Sequence, residues 1–313
     1  MPRLTIILTC AVVCLVPAVS QKPNPFIGRW DIDVSPTGEN SSMYPDWMEV
    51  AENNGALTMR IQPQGGGAFA VTDFKIAGSH LSVTWPRRGS NAPAITWDLD
   101  VTEGRLSGSE RRGDRVAAYL SGVRAPTLDR KQPAAWGDPQ AIFNGKDLTG
   151  WEPVGMAKNN WIAKEGDLVN LAGGANLRTS RTFNDFKLHV EFNCPPEGNS
   201  GIYLRGRYEV QIEYQAVDAN DPLHAMGSIY SFVPPTVNLQ RKPGTWESFD
   251  ITLVGRRVTI FRNRIKTIDN QEIPGPTGGA LDANEGEAGP FYIQGDHTGG
   301  LKFRNITVSV PKR

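Results

Sequence analysis

The sequence predicts an all-β protein of two domains, on three observations. Glycine (33 residues) and proline (23 residues) are abundant in a chain of 313. Apolar residues recur with period two in short runs, not with period 3.6 over long ones, and turn-forming clusters separate the runs. No helix is required anywhere along the chain.

Residues 1–20 read as an export signal. Arg3 precedes the apolar run Leu4–Val16, then Pro17 and Ala18-Val19-Ser20, the small-x-small pattern of a signal-peptidase site. Cleavage is expected after Ser20. The run is too short to span a bilayer, and no later segment approaches the roughly 18 apolar residues a spanning helix needs, so no integral membrane segment is expected after cleavage. Cys10 and Cys14 follow Thr9 and Val13, where lipid attachment wants a small residue. A free, soluble, exported protein, periplasmic or extracellular, is therefore favoured. Cys194 is then the one cysteine left, so stability must rest on core burial without an internal disulfide. The remaining length suits two domains of ordinary size.

In residues 21–124 the alternating runs are Arg29–Val34, Trp47–Val50, Leu57–Gln62, Phe69–Ile76, Leu81–Trp85, Ile95–Val101, Arg105–Glu110 and Val116–Val123. Asn53-Asn54-Gly55, Gly65-Gly66-Gly67, Ala77-Gly78 and Arg112-Gly113-Asp114 divide them. About eight short strands in sequence suit a small up-and-down barrel or a compact sandwich. The opening Gly28-Arg29-Trp30 resembles the Gly-x-Trp start of lipocalin-like barrels. Trp30, Trp47, Trp85 and Trp97 are expected as core and rim, and His80 has no ligand partner at useful spacing, so this domain is assigned no chemistry. Residues 125–139 hold three prolines and no periodicity, and read as a linker.

Residues 140–313 alternate again. Lys187–Glu191, Ser248–Leu253 and Arg257–Phe261 read as strands, Arg262-Asn263-Arg264 as a tight turn, and Lys302–Val310 as a closing strand. Along Tyr208–Glu213, Tyr208, Val210 and Ile212 share one face, and Glu209, Gln211 and Glu213 the other. That polar row, with Arg205 and Arg207 upstream, suits the lining of a carbohydrate cleft; it equally suits a solvated sheet face. The two acids lie roughly 13 Å apart along an extended strand, whereas glycosidase carboxyl pairs sit about 5–9.5 Å apart. Curvature would have to close the gap.

The 33 basic and 33 acidic residues balance, which argues against nucleic acid or an anionic membrane and suits a neutral substrate. There is no His-Glu-x-x-His, paired Cys-x-x-Cys, P-loop or Rossmann glycine fingerprint, and no cofactor is expected. Asp218-Ala219-Asn220-Asp221 and Asp282-Ala283-Asn284-Glu285 carry oxygens near calcium-loop spacing but lack the following glycine and terminal glutamate. They leave a structural calcium open.

A family resemblance is carried by Phe143-Asn144-Gly145-Lys146-Asp147-Leu148-Thr149-Gly150-Trp151, Trp161 with Gly166-Asp167-Leu168, Phe183–Phe192, Asn199–Arg205, Tyr208–Ile212, Pro243–Trp246, Gly289-Pro290, Ile293–His297 and Phe303–Ile306. In this order they resemble the 3-keto-disaccharide hydrolase domain, over about residues 140–311. The resemblance implies a concanavalin-like jelly roll whose concave face takes a sugar. It also implies a chemistry in which a C3 ketone acidifies the C2 hydrogen, a base removes it, the glycosidic oxygen leaves and water adds, for a net hydrolysis of 3-keto-glycosides. On that basis Glu209 is the expected base, His297 the expected acid and Arg205 the expected stabiliser of the enolate. Gln211, Gln294, Asp296, Glu191 and Tyr203 are expected to bind substrate, with no metal.

The strand also resembles the Glu-x-Asp-x-Glu strand of family 16 glycoside hydrolases. Gln211 stands in the central Asp position, which weighs against a direct retaining mechanism. The alternative from another class is a non-catalytic carbohydrate-binding jelly roll. Plainer readings stand beside each residue: Arg205 could form a salt bridge to Glu209, His224 could be loop surface, and Tyr203, Tyr230, Trp246 and Tyr292 could pack in the core as easily as stack on sugar.

Overall fold

The computed structural model describes residues 23–39, 41–87, 92–214, 221–239 and 241–312. The export signal lies outside the described residues, as do Asp218 and Asn220 of the first candidate calcium loop.

The N-terminal domain is built from β1 (Gly28–Pro36), β2 (Tyr44–Asn53), β3 (Ala56–Gln62), β4 (Phe69–Val71), β5 (Phe74–Ala77), β6 (His80–Trp85), β7 (Ile95–Thr102), β8 (Arg105–Arg112) and β9 (Arg115–Arg124). They form one antiparallel sheet in the order β4-β3-β2-β1-β9-β8-β7-β6-β5, and β4 comes alongside β6 to nearly close a barrel. The run Phe69–Ile76 expected as one strand is two, broken between Val71 and Phe74. Alternation sets the interior. Trp30, Ile32 and Val34 from β1, Met48 and Val50 from β2, and Trp97 and Leu99 from β7 are buried together.

Residues 125–139 carry no strand; a β-bridge from Trp136 to Pro311, the Arg130–Asp185 ion pair and a hydrogen bond from Arg256 to the Pro126 carbonyl tie them to the second domain. There follow β10 (Gln140–Ala141), β11 (Trp151–Val154), β12 (Trp161–Lys164), β13 (Asp167–Asn170), β14 (Asn176–Thr179), β15 (Phe186–Asn193), β16 (Asn199–Leu204), β17 (Tyr208–Glu213), β18 (Trp246–Val254), β19 (Arg257–Arg262), β20 (Ile265–Glu272), β21 (Tyr292–Ile293) and β22 (Lys302–Ser309). One sheet runs β12-β13-β22-β15-β18-β19-β20, with β10 added beside β22. The other runs β11-β14-β21-β16-β17. Asn263 and Arg264 both have positive φ (51° and 67°), as a two-residue turn between twisted strands requires.

The two sheets share one core, which makes this domain a sandwich. Phe186, Leu188, Val190 and Phe192 of β15 and Phe249, Ile251 and Leu253 of β18 meet Ile202, Leu204, Tyr208, Val210 and Ile212 of the smaller sheet. Burying side chains of this size contributes about 1.5–3 kcal/mol each. The interior needs no disulfide, and Cys194 is buried as a free thiol.

The domains meet along a packed seam. Trp47 of β2 stands edge-on to Phe232, ring centroids 5.3 Å apart. Asp31 of β1 is hydrogen-bonded to Glu285, which in turn accepts from Tyr208 Oη at 2.7 Å and from Arg256 Nη2 at 2.5 Å.

Candidate active site

β16 and β17 form a hairpin joined by Arg205, Gly206 and Arg207, and its register sets Tyr203 opposite Glu209, Gly201 opposite Gln211 and Asn199 opposite Glu213. Tyr208, Val210 and Ile212 enter the core. The opposite face, with Glu209, Gln211 and Glu213, is not solvated surface. It forms the floor of a cleft of about 950 Å³, shared by Tyr203, Asn176, Tyr292, Gln294, Asp296 and His297.

Glu209 is 4% exposed. Its carboxyl folds over Gly201: a Cβ on residue 201 would lie 2.2 Å from Glu209 Oε1, so the space is held open by the missing side chain. Tyr203 stands opposite Glu209 in the hairpin, and burial raises its pKa so that it holds its proton. Burial pushes the Glu209 pKa up to about 8, against the opposing effects of the Tyr203 hydrogen bond and the His297 charge.

His297 Nδ1 pairs with Asp296 Oδ1 at 2.5 Å, and this contact chiefly raises the histidine's pKa above its ordinary value. Burial pushes Asp296 up, but the His297 hydrogen bond and charge outweigh it and hold the carboxylate ionised. Asn176 fixes this corner. Its amide donates to Tyr292 Oη at 2.5 Å and to Asp296 Oδ2 at 3.3 Å, while its oxygen accepts from the Gly295 N–H at 2.6 Å. Tyr203 and Tyr292 meet edge to face at 4.8 Å. Gln211 donates to Glu213 Oε2 at 2.6 Å, whereas its Oε1 is buried without a partner, as is Oε1 of Gln294. A buried acceptor left open is costly, and here each belongs to a side chain lining the cleft, where a ligand hydroxyl would satisfy it.

Two expected residues lie elsewhere. Arg205 is fully buried behind the hairpin, where Nη2 donates to Tyr208 Oη at 3.0 Å and to the Gly255 carbonyl at 2.9 Å. It neither lines the cleft nor pairs with Glu209. The turn is responsible: Arg205 and Gly206 both have positive φ (54° and 71°), which breaks the strand alternation that would have carried Arg205 to the face of Glu209. Glu191 belongs to β15 of the larger sheet and accepts from Arg304 Nε at 2.7 Å and Asn305 Nδ2 at 2.9 Å, away from the cleft. The second candidate calcium loop spends its acids on guanidinium groups, Asp282 on Arg207 and Glu285 on Arg256, so its donor set does not fit a cation.

Residues given plainer or undecided readings in the sequence also reach the cleft. Asp221, His224 and Tyr230 line the cleft rim, although His224 read as loop surface. His224 joins Asp221 Oδ2 at 2.5 Å to Ser231 Oγ at 2.6 Å, and Ser231 has φ 61°. The barrel contributes as well: residues 42–45 and 64–66 border the same cleft.

The cleft face of the smaller sheet thus gathers one buried carboxyl, a histidine–aspartate pair and two open amide acceptors. Residues 138–309 match the family described as the 3-keto-alpha-glucoside-1,2-lyase-like domain, and the chain belongs to that family, which implies a carbohydrate substrate. Among solved structures, a Parabacteroides distasonis protein described as a candidate glycosyl hydrolase is 29% identical; the match covers 55% of this chain and 83% of that one, with a TM-score of 0.46. A second from the same organism, described likewise, is 20% identical over 56% of this chain and 94% of its own, with a TM-score of 0.46. Trypanosoma rangeli sialidase is 11% identical over 91% of this chain and 64% of its own, with a TM-score of 0.32. No curated protein matches the chain. Among the described residues, no helix is long and apolar enough to cross a membrane.

Proposed function

We propose that the protein is an exported enzyme that cleaves 3-keto-glucosides by elimination across C1–C2 followed by hydration. The observation that carries the reading is the Glu209 carboxyl, buried on the cleft floor with a pKa near 8 and facing the His297–Asp296 pair. A carboxylate of raised pKa is a stronger base, and the C3 ketone makes C2–H acidic enough for it. Glu209 takes that proton; the C2 electron pair forms the C1–C2 double bond as the C1–O bond breaks, and His297 protonates the departing oxygen. Water then adds its oxygen to C1 while C2 regains a proton, which gives the free 3-keto sugar. Release before hydration would make the same chemistry a lyase.

With Arg205 removed from the site, charge developing on the C3 oxygen falls to other donors. Tyr292 accepts from Asn176 and keeps its own proton, because burial raises its pKa, so its hydroxyl suits that role. The open oxygens of Gln211 and Gln294 accept sugar hydroxyls.

The test is turnover of a 3-keto-disaccharide by purified protein. Glu209→Gln should lower it by about 10²–10⁴-fold, the usual worth of a general base. His297→Ala should be comparably damaging with an alkyl or sugar leaving group, and nearly harmless with 4-nitrophenolate, which departs without protonation. Unchanged turnover in both variants would falsify the roles. Binding of the sugar without cleavage would favour the carbohydrate-binding alternative.

A further inference from the structure

The matched family region begins at residue 138, so nothing assigns a role to the barrel. We infer that the barrel supplies the leaving-group subsite of the cleft, a wall that holds the ring attached to the oxidised sugar. The inference rests on the elimination reading only for where the oxidised ring sits.

The loop between β3 and β4 is braced and built into the second domain. Gln62 Nε2 donates to the carbonyls of Pro63 and Gly66 at 2.6 and 2.7 Å, and the Gln64 N–H donates to Asp46 Oδ1 at 2.7 Å. The Gly65 N–H then donates to the Gly278 carbonyl at 2.7 Å. The packing there leaves no room for side chains: a Cβ on Gly278 would lie 2.2 Å from the Gly66 carbonyl, and one on Gly279 would lie 2.1 Å from the Tyr203 hydroxyl. A continuous path of contact thus runs from the barrel loop through Gly278-Gly279 to Tyr203, which stands opposite Glu209 in the hairpin. A loop fixed this firmly at the cleft edge is a preformed wall, which binds without an ordering cost.

The chemistry of that wall fits a pyranose. Met43, 62% exposed, offers an apolar surface and Gln64 an exposed amide, and both border the cleft that Glu209 floors. A sugar ring presents a C–H face to such a patch and hydroxyls to the amide. A methyl group at the anomeric oxygen has neither a ring face nor hydroxyls to offer these segments.

Gly66 provides the test. It borders the cleft, its φ is not in the left-handed region, and a Cβ there meets only Pro63, at 3.6 Å, so Gly66→Trp sets a bulky side chain at the cleft border without backbone strain. Affinities are measured by calorimetry in a Glu209→Gln background, so that the result does not depend on turnover. The ligands are a 3-keto-disaccharide and methyl 3-keto-glucoside. The disaccharide should bind at least about tenfold more tightly, an advantage on the scale of a few well-made contacts. Gly66→Trp should erase that advantage, and the exposed-site variant Met43→Ala should reduce it. Equal affinities, no binding of either ligand, or an advantage that survives Gly66→Trp would each overturn the inference. Absence of turnover by the wild-type protein would overturn the elimination and leave this measurement standing.

Discussion

β7 in the barrel and β17 in the sandwich follow the same two-residue alternation and use it differently. In β7, Trp97 and Leu99 point into the core while Asp100 stands in solvent, paired with an exposed His80. In β17, Val210 and Ile212 point into the core, and yet Glu209 and Gln211 on the opposite face are also buried. Alternation therefore tells which side chains share a face, not whether that face is wet. A buried polar face costs desolvation that a solvated one does not. The sandwich maintains that face, with one carboxyl pushed up to about 8 and two amide oxygens left open.

The comparison breaks most visibly at Glu209. Glu209→Gln should remove nearly all turnover, while Asp100→Asn on the barrel should leave turnover unaltered and shift stability by no more than about 0.5 kcal/mol, as a surface change does; kinetics and chemical denaturation check the two. Next comes Gly201→Ala, whose methyl would claim the space of the Glu209 carboxyl. A catalytic group displaced by about 1 Å commonly costs about 10²-fold, so kcat should fall by that order while circular dichroism stays native.

The pH dependence sharpens the contrast further. Elimination needs Glu209 ionised and His297 protonated, so kcat/KM should be bell-shaped, with one limb near pH 8. The other limb should disappear in His297→Ala assayed with a 4-nitrophenyl glycoside. The smallest effect is expected at the seam. Burial, then the charge of Glu285, raises the pKa of Asp31 to about 9, so it carries its proton in the folded state at neutral pH. Its contribution to stability is fully present below its unfolded pKa of about 4 and is lost as pH rises through about 9. Asp31→Asn cannot ionise and should melt about 2–4 °C above wild type at pH 10, each kcal/mol being worth about that much at this size.

The sequence carried most of the fold. Period-two runs placed nearly every barrel strand, and missed mainly the break between Val71 and Phe74. Alternation also put Glu209, Gln211 and Glu213 on one face, as the hairpin register has them. It failed where the chain leaves the strand: two successive positive φ values at Arg205 and Gly206 turn the arginine behind the hairpin. Glu191 was legible as half of an alternating strand, but alternation cannot say which of two sheets that strand joins. Asn176, Asp221 and His224 reach the cleft through contacts remote in sequence, which no local pattern records. Gly201 did leave a signal, since a glycine in the middle of a strand marks a close approach.

The central claim is that Glu209 removes the hydrogen at C2. Cleavage of a 3-keto-glucoside in D2O, quenched early and read by mass spectrometry, tests it most directly. The account predicts a released 3-keto sugar with deuterium at C2, formed far faster than free 3-keto sugar exchanges alone, and no such product from Glu209→Gln. A released sugar that retains its original C2 hydrogen would contradict it.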